Sequence, residues 1–260
     1  MSAGDRTRHL ALVDPGEAAE LAALLGRLLR WERNAAVRLR ATEDGVLGVF
    51  ARPARFEVLA VRTARLAEPA PLDATVSAGE LLESLDESAG TVTVPAAVTG
   101  PPWAGLLPPR GGWRPVGELP YESVRAAAAA VVAEFRRRSE ALGETGRTRE
   151  ALDALAEEIW SRPLGGGTGL PLRAVHAAWA LGMLRERGPA LAAGPQGPPA
   201  PPPAGRGAGG GDGSGVGSGT AGSSVVTVLA AVSWLRLRTP YGSIAVRGRG
   251  GGGGLSVTPL

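Results

Sequence analysis

His9 and His176 are the only histidines of the chain, which has no cysteine, and all 28 of its basic residues are arginine. Without thiolates there are no disulfides, no cysteine zinc sites and no thiol nucleophile. Without lysine there is no Walker A lysine and no Schiff base. Neither histidine stands in an HExxH or ExxH arrangement, and no GxSxG elbow occurs. His176 lies one helical turn from Arg173 and Trp179 in a stretch that is apolar nearly all round, which fits a hydrogen-bonded packing role better than catalysis. The acidic pairs Glu80 with Glu83 and Glu157 with Glu158 read as solvated helix faces. No catalytic residue, metal ligand or cofactor is implied.

The glycine clusters are weaker still. PLGGGTGLP, residues 163–171, follows a helical pattern rather than a strand and lacks GxGxxG spacing, so it reads as a mobile interhelical loop. GRGAGG, residues 205–210, has the spacing but sits in a low-complexity tract. Arg136, Arg137 and Arg138 fall near a helix C-terminus, where they complement the dipole. The helical stretches 148–161 and 171–187 are separated by about nine residues, too many for the usual 3–4 residue turn of a helix-turn-helix.

One surface remains. SWLRLRTPYGSIAVRG, residues 233–248, reads as a β-hairpin closed by Thr239-Pro240-Tyr241-Gly242, with proline second and glycine fourth as a type I turn prefers. That register sets Leu237 opposite Ile244 and Leu235 opposite Val246 on one face. Trp234, Arg236 and Arg238 then face Arg247, Ala245 and Ser243 on the other. Residues 189–260 hold five arginines and a single acid, Asp212. The candidate partner-binding residues are therefore Trp234, Arg236, Arg238, Arg247 and Arg249. Arginine beside an aromatic on a sheet face serves both single-stranded nucleic acid binding and protein interfaces. A solvated face with Trp234 and Arg247 in cation–π contact is the third reading.

These residues need elements to position them. Asp14, Pro15 and Glu17 signal a helix start, with Leu21, Leu24, Leu25 and Leu28 on one stripe. From Val37 to Val61 the alternation predicts a three-stranded antiparallel meander. A loop at Glu43-Asp44-Gly45 pairs Leu39 with Val49, and a four-residue loop, Arg52 to Arg55, pairs Ala51 with Phe56. Ser77 and Glu80 open a short helix, and TVTVP at 91–95 is a candidate edge strand. Residues 95–120 are irregular, with Trp103 and Trp113 pinning them to the core. Three helices follow, at about 120–142, 148–161 and 171–187, the last with Leu172, Val175, Trp179 and Met183 on its stripe.

Residues 189–224 collapse to Pro, Gly, Ala and Ser, a composition that cannot bury a core. A flexible linker of about 36 residues spans roughly 33 Å r.m.s., so the hairpin can reach the meander. Closing that loop costs about 3 kcal/mol, while burying four aliphatic side chains contributes on the order of 6 to 12 kcal/mol. The expected fold is α+β, an antiparallel sheet of about five strands made from the N-terminal meander and the C-terminal hairpin, packed with about five helices. The expected organisation is an α+β body over 1–188, a disordered Pro/Gly-rich insert over 189–224, the hairpin over 225–248 and a flexible tail over 249–260.

Formal net charge is only +3, so the high isoelectric point reflects arginine rather than a nucleic-acid signature. No signal-peptide apolar region and no span of about 20 apolar residues occurs; a soluble, cytoplasmic protein without membrane contact is expected. GGWRPVGELPYESVRAAAAA and SWLRLRTPYGSIAVRG resemble an uncharacterised protein family of GC-rich bacteria, a resemblance that implies no activity. Helices set on a five-stranded antiparallel sheet are also similar in topology to small secretion-chaperone-like domains, which carries no functional residue across. The reading is a non-enzymatic protein-interaction or adaptor module, with a nucleic-acid-associated regulator as the alternative. The sequence leaves the oligomeric state open.

Overall fold

The structure is a computed structural model that describes residues 8–185 and 225–248. Its first part runs β1 (Arg8–Ala11), α1 (Pro15–Leu29), β2 (Ala36–Ala41), β3 (Val46–Ala51), β4 (Leu59–Arg65), β5 (Leu72–Ser77), α2 (Ala78–Glu83), β6 (Leu85–Asp86) and β7 (Thr91–Val94). A 3-10 turn at Pro102–Gly105 leads to β8 (Arg114–Pro120), α3 (Tyr121–Ala141), α4 (Gly143–Gly146), α5 (Arg149–Trp160), α6 (Leu172–Ala180), β9 (Val225–Ala231), β10 (Trp234–Thr239) and β11 (Gly242–Arg247). The fold is α+β with antiparallel sheets. None of the described helices is long and apolar enough to cross a membrane.

The main sheet has eight strands rather than about five, in the order β5-β2-β3-β4-β11-β10-β9-β8. The additional strands are β5, β9 and β8. Strand β8 carries Pro115 and Pro120, which removes two ladder donors and suits it to the sheet edge it occupies. The TVTV segment is not an edge of this sheet; as β7 it is the middle strand of a separate three-stranded sheet, β1-β7-β6.

The hairpin register is as expected: Leu237 opposes Ile244, Leu235 opposes Val246, and Trp234 opposes Arg247. The strands run further than a four-residue loop allows, since Thr239 pairs with Gly242 and only Pro240 and Tyr241 form the tip. Gly242 has φ +135, and a Cβ there would lie 2.9 Å from the carbonyl oxygen of Val61, so only glycine lets the hairpin close against its neighbour. That neighbour is β4, paired through Ser243 with Val61, Ile244 with Ala60 and Ala245 with Leu59.

Within the meander Leu39 opposes Val49 and Ala41 opposes Leu47, with Gly45 at φ +69 in the turn. The next connection is longer than four residues: Ala51 opposes Ala60 instead of Phe56. The displacement is four residues, an even number, so every side chain keeps its face. Phe56 and Val58 are buried from the loop rather than from a strand.

One face of the sheet is the core. Val37, Leu39, Val49, Ala60, Ile244, Leu237 and Val228 cross it strand by strand, covered by Leu21, Leu25 and Leu28 of α1 and Val175 and Ala178 of α6. The caps form as the sequence suggests: Asp14 accepts from the N–H of Gly16, Ser77 from Glu80 and Thr148 from Ala151. Helix α6 ends at Ala180, short of Arg187, because Gly182 takes φ +72. Trp179 is 44 % exposed, not part of the buried stripe.

His176 packs without a hydrogen bond among the described residues. Its ring stacks on Trp160 at 4.3 Å and meets Phe56 edge-on at 5.0 Å, within a run of rings that continues to Trp31 and Phe135. Burial pushes its pKa down to about 4. Since a histidine in the unfolded chain titrates near ~6.5, the unfolded state takes up the proton first, and stability falls as pH drops from about 6.5 towards 4. At pH 5 the loss is on the order of 1 to 2 kcal/mol with allowance for the ring's residual exposure. Urea melts at pH 7.5 and 5 should therefore differ more for the native chain than for His176→Phe, and equal differences would show that the ring carries no such linkage.

Candidate functional site

Strand alternation sends a second set of side chains to the face opposite the core. Here lie Arg38 and Arg40 of β2, Phe50 of β3, Val61 and Thr63 of β4, Ser243 of β11, Arg236 and Arg238 of β10, and Thr227 of β9. The irregular segment after β7 crosses part of this face. The N–H of Val98 donates to the carbonyl of Thr75 at 2.8 Å, and the indole Nε1 of Trp113 donates to the carbonyl of Pro109 at 2.9 Å. Trp113 in turn sits over Arg236, whose Cζ lies 5.6 Å from the ring centroid.

Two open cavities result. One of about 220 Å³ is lined by Arg40, Phe50, Pro108, Pro109, Arg110 and Arg236, among others. The second, about 430 Å³, is lined by Arg236, Arg238, Thr63, Thr227, Thr239 and Ser243, and is rimmed by Glu17. Both include Val61, Thr63 and Arg236, so they form one groove.

Several arginines of this protein meet carboxylates. Arg38 meets Asp73 at 2.7 Å, Arg162 meets Glu134 at 2.6 Å, and Arg173 meets Glu157 at 2.6 Å. Arg236 is the contrast. Half-buried, it donates through Nε to Ser243 Oγ at 2.7 Å and rests on Trp113, with no carboxylate of the described residues within 4 Å. Burial, followed by the charge of Arg238, shifts its pKa below the ordinary arginine value; a guanidinium still holds its proton at neutral pH. Arg238 is exposed and has no ion pair among the described residues. The acids nearby are already engaged: Asp73 by Arg38 and Arg40, Asp44 by the hydroxyl of Thr42 and the N–H of Val46, and Glu17 by the N–H of Arg65.

The candidate residues read from the hairpin divide into two groups. Arg236 and Arg238 enter the groove. Trp234 and Arg247 pair with each other, the guanidinium 5.5 Å from the ring centroid, and line neither cavity. Arg249 lies outside the described residues. Arg40, Phe50, Arg110, Thr63 and Thr227 complete the groove and were missed, as was the contact of Trp113 with Arg236; Trp113 itself lines neither cavity. The outward alternation of Arg40 and Phe50 within the meander was the available signal; Trp113 gave only that of an aromatic in an irregular stretch.

Other singled-out segments are structural. The glycine-rich loop is not a loose connector: Leu164 and Leu170 are bonded across it at 2.6 Å, Thr168 is buried, and the loop closes onto Gly117 and Leu119 of β8. Arg138 of α3 makes two hydrogen bonds to Glu158 of α5, at 2.5 and 2.8 Å, and Arg173 ties Glu157. These acids sit on an exposed helix face, as expected, and also tie α5 to its neighbours. Among the described residues no group of three or more His, Asp or Glu is placed to hold a metal ion.

Residues 5–105 match the domain of unknown function DUF8010, and residues 108–251 match the domain of unknown function DUF8185, more than half of the chain. The chain belongs to the DUF8185 family. Comparisons with curated proteins and with solved structures give no match. The division between the DUF8010 and DUF8185 segments coincides with a seam in the sheet. Strands β5, β2, β3 and β4 come from the first and β11, β10, β9 and β8 from the second, joined by the β4–β11 pairing. Read outward from the seam, each half presents the third, second and first strands of a meander, then one further strand. The groove lies across this seam, with Arg40 and Thr63 supplied by the DUF8010 segment and Arg236 and Arg238 by the DUF8185 segment.

Proposed function

We propose that this DUF8185 protein is a non-catalytic interaction module that takes an acidic protein partner in the groove on the open sheet face. The observation that supports this reading is Arg236: a half-buried cation, stacked on Trp113 and given no carboxylate of its own, beside an exposed and unpaired Arg238. Desolvating a charge without a counter-ion is costly, and an incoming carboxylate offsets that cost where water now does so only in part. Nucleic acid is the less favoured occupant. The Trp113 indole has Arg236 against its face and Pro109 on its N–H, so it is not a vacant platform for a base.

The test is fluorescence anisotropy on the full chain with a labelled glutamate-rich peptide and a labelled oligo-dT of similar length. The peptide is expected to bind, to weaken between low and physiological salt, and to lose about ten-fold or more in affinity when Arg236 and Arg238 are both changed to Glu. Peptide binding untouched by that double reversal, or oligo-dT bound more tightly than peptide, would overturn the reading.

A further inference from the structure

We infer that the two cavities work as one track holding an extended acidic segment of about seven residues that lies across the strands, an inference that rests on the acidic-partner reading above. The track touches six neighbouring strands: Arg40 on β2, Phe50 on β3, Val61 on β4, Ser243 on β11, Arg236 on β10 and Thr227 on β9. Five strand spacings of about 4.8 Å make a length of about 24 Å, which an extended chain covers with about seven residues at roughly 3.3 Å each.

The cations are divided between the two cavities. Arg40 and Arg110 stand at the narrower end, Arg236 where the cavities meet, and Arg238 at the wider end. The strands β2 and β10 that carry Arg40 and Arg236 are four spacings apart, about 19 Å along the sheet, although both side chains line the narrower cavity. A single phosphate or small dianion in the narrower cavity would be within its Arg40, Arg110 and Arg236 lining but would leave Arg238, which lines only the wider cavity, unmatched. A segment with carboxylates near its start, middle and end would meet all of them. Between the cations the floor is Val61, and the hydroxyls of Thr63 and Thr227 are available to the segment's backbone, while that of Ser243 holds Arg236. Asp44 lines the narrower cavity and Glu17 the wider one, each hydrogen-bonded within the protein, and Arg40 is shared with Asp73, so Arg236 and Arg238 are cations of the track with no carboxylate partner among the described residues.

The experiment titrates the full chain with fluorescein-labelled oligo-glutamates of three, seven and fourteen residues. The heptamer should bind about ten-fold or more tightly than the trimer, because two linked contacts gain effective concentration, and the fourteen-mer should add only about two-fold for its extra registers. Arg110→Ala and Arg238→Ala, both at exposed positions, should each reduce the heptamer's advantage over the trimer. A trimer that binds as tightly as the heptamer would overturn the track while leaving an acidic partner at one cavity. Affinity that climbs as steeply from seven to fourteen as from three to seven would overturn it in favour of unspecific charge attraction. If no oligo-glutamate binds, the acidic-partner reading fails as well.

Discussion

Ile244→Ala should cost about 3 kcal/mol, within the range of about 2 to 5 for an aliphatic side chain cut to alanine in a close-packed core, and should lower the two halves of the protein together. Ile244 is fully buried in β11, opposite Leu237 on one side and Ala60 on the other. Its side chain fills the core at the seam, and the same continuous core includes Leu25 and Val49 from the first half and Val175 and Val228 from the second. A void there removes contacts from both. Denaturation followed by far-ultraviolet circular dichroism and by tryptophan fluorescence should shift by the same amount with each probe. Leu235→Ala, at the half-buried neighbouring position, should cost less. Two separated transitions, or a shift under about 0.5 kcal/mol, would mean that the halves are independently stable.

Glu20→Ala should be of similar size, about 3 kcal/mol, by a different mechanism. Glu20 of α1 accepts from Arg185, and Arg62 stands 3.6 Å away. Arg62 is buried on the core face and donates through Nη1 to the carbonyl of Tyr241 at the hairpin tip; its Nε has no partner. Arg185 lies over the Tyr241 ring at 4.1 Å, while its carbonyl accepts from the Tyr121 hydroxyl. Burial raises that phenol to about 12, keeping it a donor across the physiological range. One carboxylate thus balances two arginines drawn from both halves. Removing it leaves them mutually repelling and partly desolvated, which is why losing one partner of a buried pair costs about 3 to 5 kcal/mol; the remaining exposure of Arg185 puts the expectation at the lower end. Glu20→Gln keeps the acceptor and loses the charge, so it should fall between. Thermal melts at low and high salt would check this, the Glu20→Ala deficit shrinking as salt screens the two arginines. A melt unchanged from the native chain would show that the carboxylate carries no such burden.

Legibility in the sequence followed the range of the forces involved. The hairpin register and its docking on the meander were readable because loop length and alternation together admit one solution, and Leu237 and Ile244 sit as that solution requires. The β3–β4 connection was misjudged by four residues because Phe56 and Val58 are as apolar as strand residues, although the loop buries them. Strand β8 was missed because Pro115 and Pro120 argue against a ladder, and its pairing depends on β9 more than 100 residues away. The candidate site was half readable. Arg236 and Arg238 followed from alternation, but nothing local to them shows that Trp113 covers one and leaves the other open. Arg247 had a local partner in Trp234, and that contact formed.

The seam between β4 and β11 also sets a schedule. Ala60 and its partner Ile244 are 244 − 60 = 184 residues apart in the chain. At a synthesis rate of about 5 to 20 residues per second, roughly 9 to 37 seconds pass between the emergence of one and of the other. During that interval the nascent chain holds β4 as a bare edge, with unpaired amides and the apolar row that Ile244 will later cover, the kind of edge that templates pairing between chains. The interval most open to wrong pairing should therefore run from the emergence of β4 to that of β11.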